Sequence, residues 1–372
     1  MIHLVNIDHS LMKNKGKNMN IIKKIGLTAL GTSLVASSAF AGELSVSGGA
    51  GYTYSSETGT GTARGSEAIG YNHHITIGGS TELDNGWTVS TNMVIEPSLA
   101  LSTSSVKVTM GSMGSVVVGS GYGGIGANFD DVTPRAYEEN HDGMTTSTAI
   151  DNIGANLDNG QILYTAPAMD MSGYSLTLMG EFAPTGNDTT VYDGGTATAS
   201  GFGTGMGVGA VLSGNGLTAG AYVNEIEASN ISTTRDASTA TAFVNYAYGP
   251  VTLGYQEGWI DRGVIGASEL ATAAKTVAAA TGDFDIKKMS IAFAVNDDLS
   301  VSWGRLEETY DSQSHNSLTT YGNVTMESDS FQVSYSMGAM SLAAYHTSTE
   351  NADWAEGVAE EDINEIALNF AF

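Results

Sequence analysis

The residues with chemical potential gather between 122 and 149. Asp130, Asp131, Glu138, Glu139 and Asp142 lie there with a single base, Arg135. Paired carboxylates can do acid–base work, but Glu138 and Glu139 have no nucleophile or base nearby to work with. Gly121-Tyr122-Gly123-Gly124-Ile125-Gly126 fits the spacing of a dinucleotide loop and follows a strand-like run. No helix follows it, so the phosphate-cradling reading fails. His73-His74 could suggest a metal site, yet neighbours on a strand point to opposite faces and no second ligand pair is evident. No Ser–His pair with an orienting group stands out. These residues point to no enzyme, and what remains is a dense acidic charge whose effect depends on the elements that hold it.

Composition narrows those elements. The 372 residues contain no cysteine, 47 glycines, 5 prolines, 40 acids and 14 bases, for a net charge of −26. There is no disulfide or thiolate chemistry, and the acidity argues against nucleic acid as a partner. Lys23 and Lys24, the apolar run 25–35 and Ala39-Phe40-Ala41 form the three parts of an export signal in order. Residues 1–41 are therefore read as an N-terminal extension plus cleaved signal, starting at Met19 or Met12, and 42–372 as one domain. Removing 1–41 leaves 39 acids against 9 bases, a charge near −30. No apolar run of about 18 residues remains, so no transmembrane helix is available.

Hydrophobic period decides the rest. Ile366, Leu368, Phe370 and Phe372 alternate with Glu365, Ala367, Asn369 and Ala371; Leu44, Val46, Ala50, Tyr52 and Tyr54 alternate with small or polar residues. Period two is a strand, and small polar residues on the second face suit a wetted lumen. Such order averages out to a mean hydropathy of −0.04. Sixteen segments follow: 43–54, 73–82, 87–96, 104–110, 115–121, 160–166, 174–183, 200–212, 217–226, 239–248, 251–258, 285–295, 299–307, 325–337, 340–347 and 362–372. Short Gly/Asn/Asp turns, such as 83–86, 111–114 and 213–216, alternate with long polar connections. This predicts an all-β, closed antiparallel transmembrane barrel of sixteen strands. Tyr52, Tyr54, Trp87, Trp303, Tyr335, Tyr345, Phe370 and Phe372 read as membrane-interface girdles, and 271–280 as a short helix inside a loop.

Several stretches resemble one family in order. Gly79 to Gly86 followed by Trp87 to Glu96 resembles the second hairpin of Gram-negative general porins. Leu157-Asp158-Asn159 with Leu163 to Pro167 and Gly173-Tyr174, the segment 111–124, the Ala-rich run before Asp285 and the terminal Phe372 resemble porin segments too. The type most resembled is alphaproteobacterial. The resemblance implies an outer-membrane homotrimer of sixteen-stranded barrels, each narrowed by a constriction loop after strand five, passing small hydrophilic solutes and ions by passive diffusion. It implies that Phe372 is part of the signal read by the barrel-assembly machinery. The chain departs at Ser120, where the family often has Arg, so a strongly basic wall opposite the loop is not implied.

On that footing the loop acids and Arg135 form the candidate constriction. Strand parity turns Lys107, with Ser105 and Thr109, toward the lumen, so the carboxylates are expected to face Lys107, with Arg64 or Arg135 beside it. Excess acid would favour cations. Glu350, Asp353, Glu356, Glu360, Glu361 and Asp362 crowd the last loop. They are read as a self-repelling outer surface, with loosely held calcium or another divalent cation as the alternative and no resident cofactor. Two other readings stay open: a channel tuned to one solute class, and a non-conducting barrel serving as an adhesin or structural element.

Overall fold

The computed structural model describes residues 42–59, 66–120, 124–140, 148–157, 160–186, 202–228, 236–263, 283–311 and 323–372. The signal, Arg64, Tyr122, Asp142 and the expected helix at 271–280 lie outside these residues.

All strands join one antiparallel sheet closed by pairing its first and last members. They are β1 (Glu43–Thr58), β2 (Ser66–Glu82), β3 (Thr88–Ile95), β4 (Leu101–Thr109), β5 (Ser115–Ser120), β6 (Gln161–Thr165), β7 (Met169–Met171), β8 (Tyr174–Ala183) and β9 (Phe202–Gly214). Then come β10 (Leu217–Ala228), β11 (Ala237–Tyr248), β12 (Val251–Asp261), β13 (Asp283–Ala294), β14 (Leu299–Asp311), β15 (Val324–Met337), β16 (Met340–Glu350) and β17 (Glu361–Ala371). β6 and β7 pair along the same neighbour, β8, and are parted at Ala166-Pro167 because proline has no ladder donor. The ring therefore has sixteen strand lines. Phe372 helps close it, exchanging backbone hydrogen bonds of 2.9 and 3.2 Å with Gly48.

The strands reach further than their hydrophobic alternation. β1 runs to Thr58, β12 to Asp261, β14 to Asp311 and β16 to Glu350, always on the long-loop side. Above the hydrocarbon layer the outward face becomes polar too, so period two fades while the ladder continues.

The outward face is an apolar surface. Val46, Val106, Val118, Leu253, Ile291 and Ile366 are all well exposed there. In water such a surface would be a liability; against lipid it is required. The inward face is of two kinds, which corrects the expectation of small polar residues throughout. On β1 to β4 the inward Ser47, Thr53, Asn72, Thr76 and Asn92 stay partly exposed. On β10 to β15 the inward face is buried and carries Tyr222, Phe243, Ile260, Phe284, Ile286, Leu306 and Met326. These side chains pack against a folded-in loop and against Trp354, whose ring lies 4.6 Å from that of Phe284. Tyr345 is a second correction. It is buried on the inward side of β16, paired with Gln332 and Glu365, rather than in a girdle.

A charge on the outward band tests this orientation. Val333→Arg on β15, midway between outward Phe331 and Tyr335, should destabilise the inserted barrel by about 2–4 kcal/mol, read as a lower folding free energy in bilayers under urea titration.

Candidate functional site

β5 and β6 have only 6 and 5 residues, so at ~3.4 Å per residue the chain leaves the wall after only about 20 Å. The segment between them then crosses the inner wall instead of standing above it. Its first leg, 124–140, starts with Ile125 and Phe129 against β9 to β11. Phe129 stacks on Tyr222 at 5.6 Å and meets Phe243 at 5.8 Å. Pro134 lies on Gly254, where a Cβ would come within 2.2 Å of its ring. The leg passes β14 at Ala136 and ends near β15 to β17, where the Tyr137 hydroxyl donates to Glu365 Oε1 at 3.1 Å. The second leg returns through Ala149 and Ile150 to Leu157, which packs near Gly205 and Ile226.

An irregular segment inside a barrel has no ladder of its own, so its peptide groups need other partners. Inward side chains supply them strand by strand. Glu181 accepts from Ile125 N at 2.6 Å. Gln256 donates to the carbonyls of Phe129 and Asp130 at 2.7 and 2.6 Å and accepts from Val132 N at 3.2 Å. Ser290 donates to Pro134 O, and Ser302 accepts from Ala136 N. Gln332 accepts from Tyr137 N and donates to Glu138 O. On the return leg Glu308 accepts from both Ala149 N and Ile150 N at 2.7 Å, and Thr239 accepts from Gly154 N at 3.2 Å.

The charges follow the same division. Asp131 is buried and ion-paired with the ammonium of Lys288 on β13, itself 2% exposed. Arg135 bridges outward, 3.4 Å from Asp131 and 3.1 Å from Glu139. Asp130 is buried beside them. Burial pushes its carboxyl up to about 7, helped by repulsion from Asp151 and opposed by Arg135 and Lys288. The expected constriction residues thus fall into three places. Asp130 and Asp131 sit beneath the loop against the wall; Arg135, Glu138 and Glu139 are partly exposed at the end of the first leg; Lys107 is inward on β4, its neighbour in register the buried Val117. Asp142 is outside the described residues.

Sequence reasoning missed Lys288, Gln256, Gln332, Glu181 and Glu308, the side chains that hold the loop. His73 and His74 do part. His73 packs outward between Tyr52 and Tyr71, with centroids 5.3 and 5.4 Å away, and His74 lies inward beside Gly49. Among the described residues no group of three or more His, Asp or Glu is placed to hold a metal ion.

A closed antiparallel barrel is what the comparisons with known proteins find as well. The family model for Gram-negative porins matches residues 26–322. The chain belongs to the Gram-negative porin family. Among solved structures it is similar to the OmpF of Salmonella typhi in complex with daunomycin (TM-score 0.61, 12% identity, covering 89% of this chain and 98% of that one). It is also similar to the anion-selective porin of Comamonas acidovorans (0.56, 12%, 88% and 99%) and to a mutant of Rh. blastica porin (0.55, 16%, 88% and 100%). No sequence among the curated proteins matches significantly. As a porin, the chain is an outer-membrane diffusion channel of a Gram-negative bacterium.

Two outcomes follow from the loop's seat. Gly254→Val should overpack the contact with Pro134 and cost about 1–3 kcal/mol, seen as a lower heat-denaturation midpoint with unchanged β-sheet circular dichroism at 25 °C. For Asp130 the raised pKa means that docking gains stability when it is protonated, fully below about pH 4 and lost as pH rises through about 7. Asp130→Asn should therefore raise the midpoint at pH 8, while the two proteins converge at pH 4.

Proposed function

We propose that this porin is a trimeric, water-filled channel for small hydrophilic solutes and ions with a preference for cations. One observation carries the reading. The loop covers the inward faces of β9 to β15, while the inward faces of β1 to β4, apart from the buried Gly51 and Ser105, stay partly exposed and are rich in Ser, Thr, Asn and Gly. A passage running there has a polar wall that carries Lys107 and His74 on one side. On the other lie Glu138 and Glu139, and the base nearest them, Arg135, is ion-paired with acids. Carboxylates near a narrow, low-dielectric passage raise the local cation concentration and leave small polar solutes unhindered. The expectation that Asp130 and Asp131 line the passage gives way to a role in seating the loop.

The same proposal reads Phe372, exposed at the end of β17, as the signal for the barrel-assembly machinery. It reads the acids of the last loop as a solvated outer surface, and it assigns no resident cofactor.

Protein purified from outer membranes and inserted in a planar bilayer should give conductance steps in threes and a cation-directed reversal potential under a salt gradient. Converting both Glu138 and Glu139 to Gln should lower the cation-to-anion permeability ratio about two- to threefold. A silent bilayer would sink the channel reading. A reversal potential at zero or of opposite sign would overturn the cation preference alone.

A further inference from the structure

The wall carboxylates that meet the loop fall into two kinds. Glu181 and Glu308 are buried and accept from loop peptide N–H groups, Glu181 also binding the Tyr222 hydroxyl. Glu365 differs. It is partly exposed, and its bond to the loop runs to the tip of a side chain, the phenol of Tyr137 at 3.1 Å.

Its position is particular too. Glu365 lies on β17 in register with Tyr345 of β16 on one side and Ser55 of β1 on the other. It stands at the border where the loop-covered wall ends and the open polar wall begins. Tyr137 reaches this border because its own amide is held by Gln332, and its ring lies 6.1 Å from that of Tyr345. The next residues along the loop are Glu138, whose carbonyl the same glutamine holds, and Glu139, paired to Arg135.

Resting on the porin reading above, we infer that Glu365 is a specificity-determining residue of the passage and Tyr137 the positioning residue that keeps the end of the loop's first leg beside it. The carboxylates of Glu138, Glu139 and Glu365 then approach the passage from two independent pieces of chain, loop and wall. Charge from the loop alone would follow any movement of the loop; a wall carboxylate stays with the sheet. The phenol carries no charge of its own, since burial and the carboxylates of Glu138 and Glu365 push its pKa well above the ordinary tyrosine value. It acts through geometry alone.

Charge and geometry separate by substitution. Glu365→Gln keeps an acceptor oxygen for the phenol and removes the charge. Tyr137→Phe removes the bond and keeps every charge. Glu365→Asp keeps the charge on a side chain about one methylene shorter. Each protein, purified from outer membranes, is measured in planar bilayers under a salt gradient and in liposome swelling with neutral sugars.

Glu365→Gln should lower the cation-to-anion permeability ratio about twofold with swelling rates unchanged. Tyr137→Phe should leave the ratio in place and raise open-channel noise and the swelling rate for the larger sugars. Glu365→Asp should restore the ratio and share the noise of Tyr137→Phe. A wild-type ratio in Glu365→Gln overturns the role of Glu365, and wild-type noise and swelling in Tyr137→Phe overturn that of Tyr137. A silent wild-type protein overturns the underlying channel reading instead, and is recognised because every variant is then silent as well.

Discussion

The structure depends on one constraint: every peptide group carried into the barrel must find a hydrogen bond there. Strands meet it through their ladder, and the ring closes by pairing β1 with β17. The loop between β5 and β6 cannot, because it crosses the strands instead of running beside them. Each N–H or carbonyl left without a partner would cost about 1–3 kcal/mol. The wall answers with Gln256, Ser290, Ser302, Glu308 and Gln332, one inward polar side chain after another. The loop's course is therefore a property of the wall's sequence as much as of its own.

From that constraint the division of the lumen follows. Where the loop lies, the inward face must combine partners for its backbone with apolar surface for Ile125, Phe129, Ile150 and Ile153, so β10 to β15 become the wall of a dry core. Where it does not lie, the inward face has only water to meet, and Ser, Thr, Asn and Gly suffice. The charges divide accordingly. An acid beneath the loop must be paired or resist ionisation, as Asp131 is paired with Lys288 and burial raises the pKa of Asp130; an acid that reaches water carries no such penalty.

This division also decides what could be read from the residues alone. The strands of β1 and β17 were legible because one face meets lipid and the other water. In β13, Phe284 faces inward onto Trp354 and Tyr310 and Ile286 is buried on the same face, while Met289, Ile291 and Phe293 face lipid. Both parities are apolar, so alternation marks the strand without saying which face is which, and Lys288 could not be assigned to the lumen. The loop acids were legible as a cluster. Their separation into seated and exposed members was not, since Asp130, Asp131, Glu138 and Glu139 differ by which wall residue each one meets. Glycine offered a signal: at Gly254 and Gly304 the loop comes too close for a Cβ, and at Gly209 it leaves one only a tight fit. Among 47 glycines that track shows only once the loop's path is known.

The pair of Asp131 with Lys288 then has a use that its energy does not suggest. A buried ion pair is a poor source of stability, because its desolvation consumes most of the attraction. It is, however, intolerant of displacement. The hydrogen-bonding side chains beneath the loop are much alike, and a segment held only by Ser and Gln could slip along them and recover most of its bonds. Slippage by two residues would carry Asp131, still paired with Arg135, about 7 Å from Lys288 and strip the buried ammonium of that partner, at a cost of several kcal/mol. The ion pair therefore fixes the register of the loop on the wall. Register in turn places Tyr137, Glu138 and Glu139 six to eight residues further on, at the edge of the open half of the lumen.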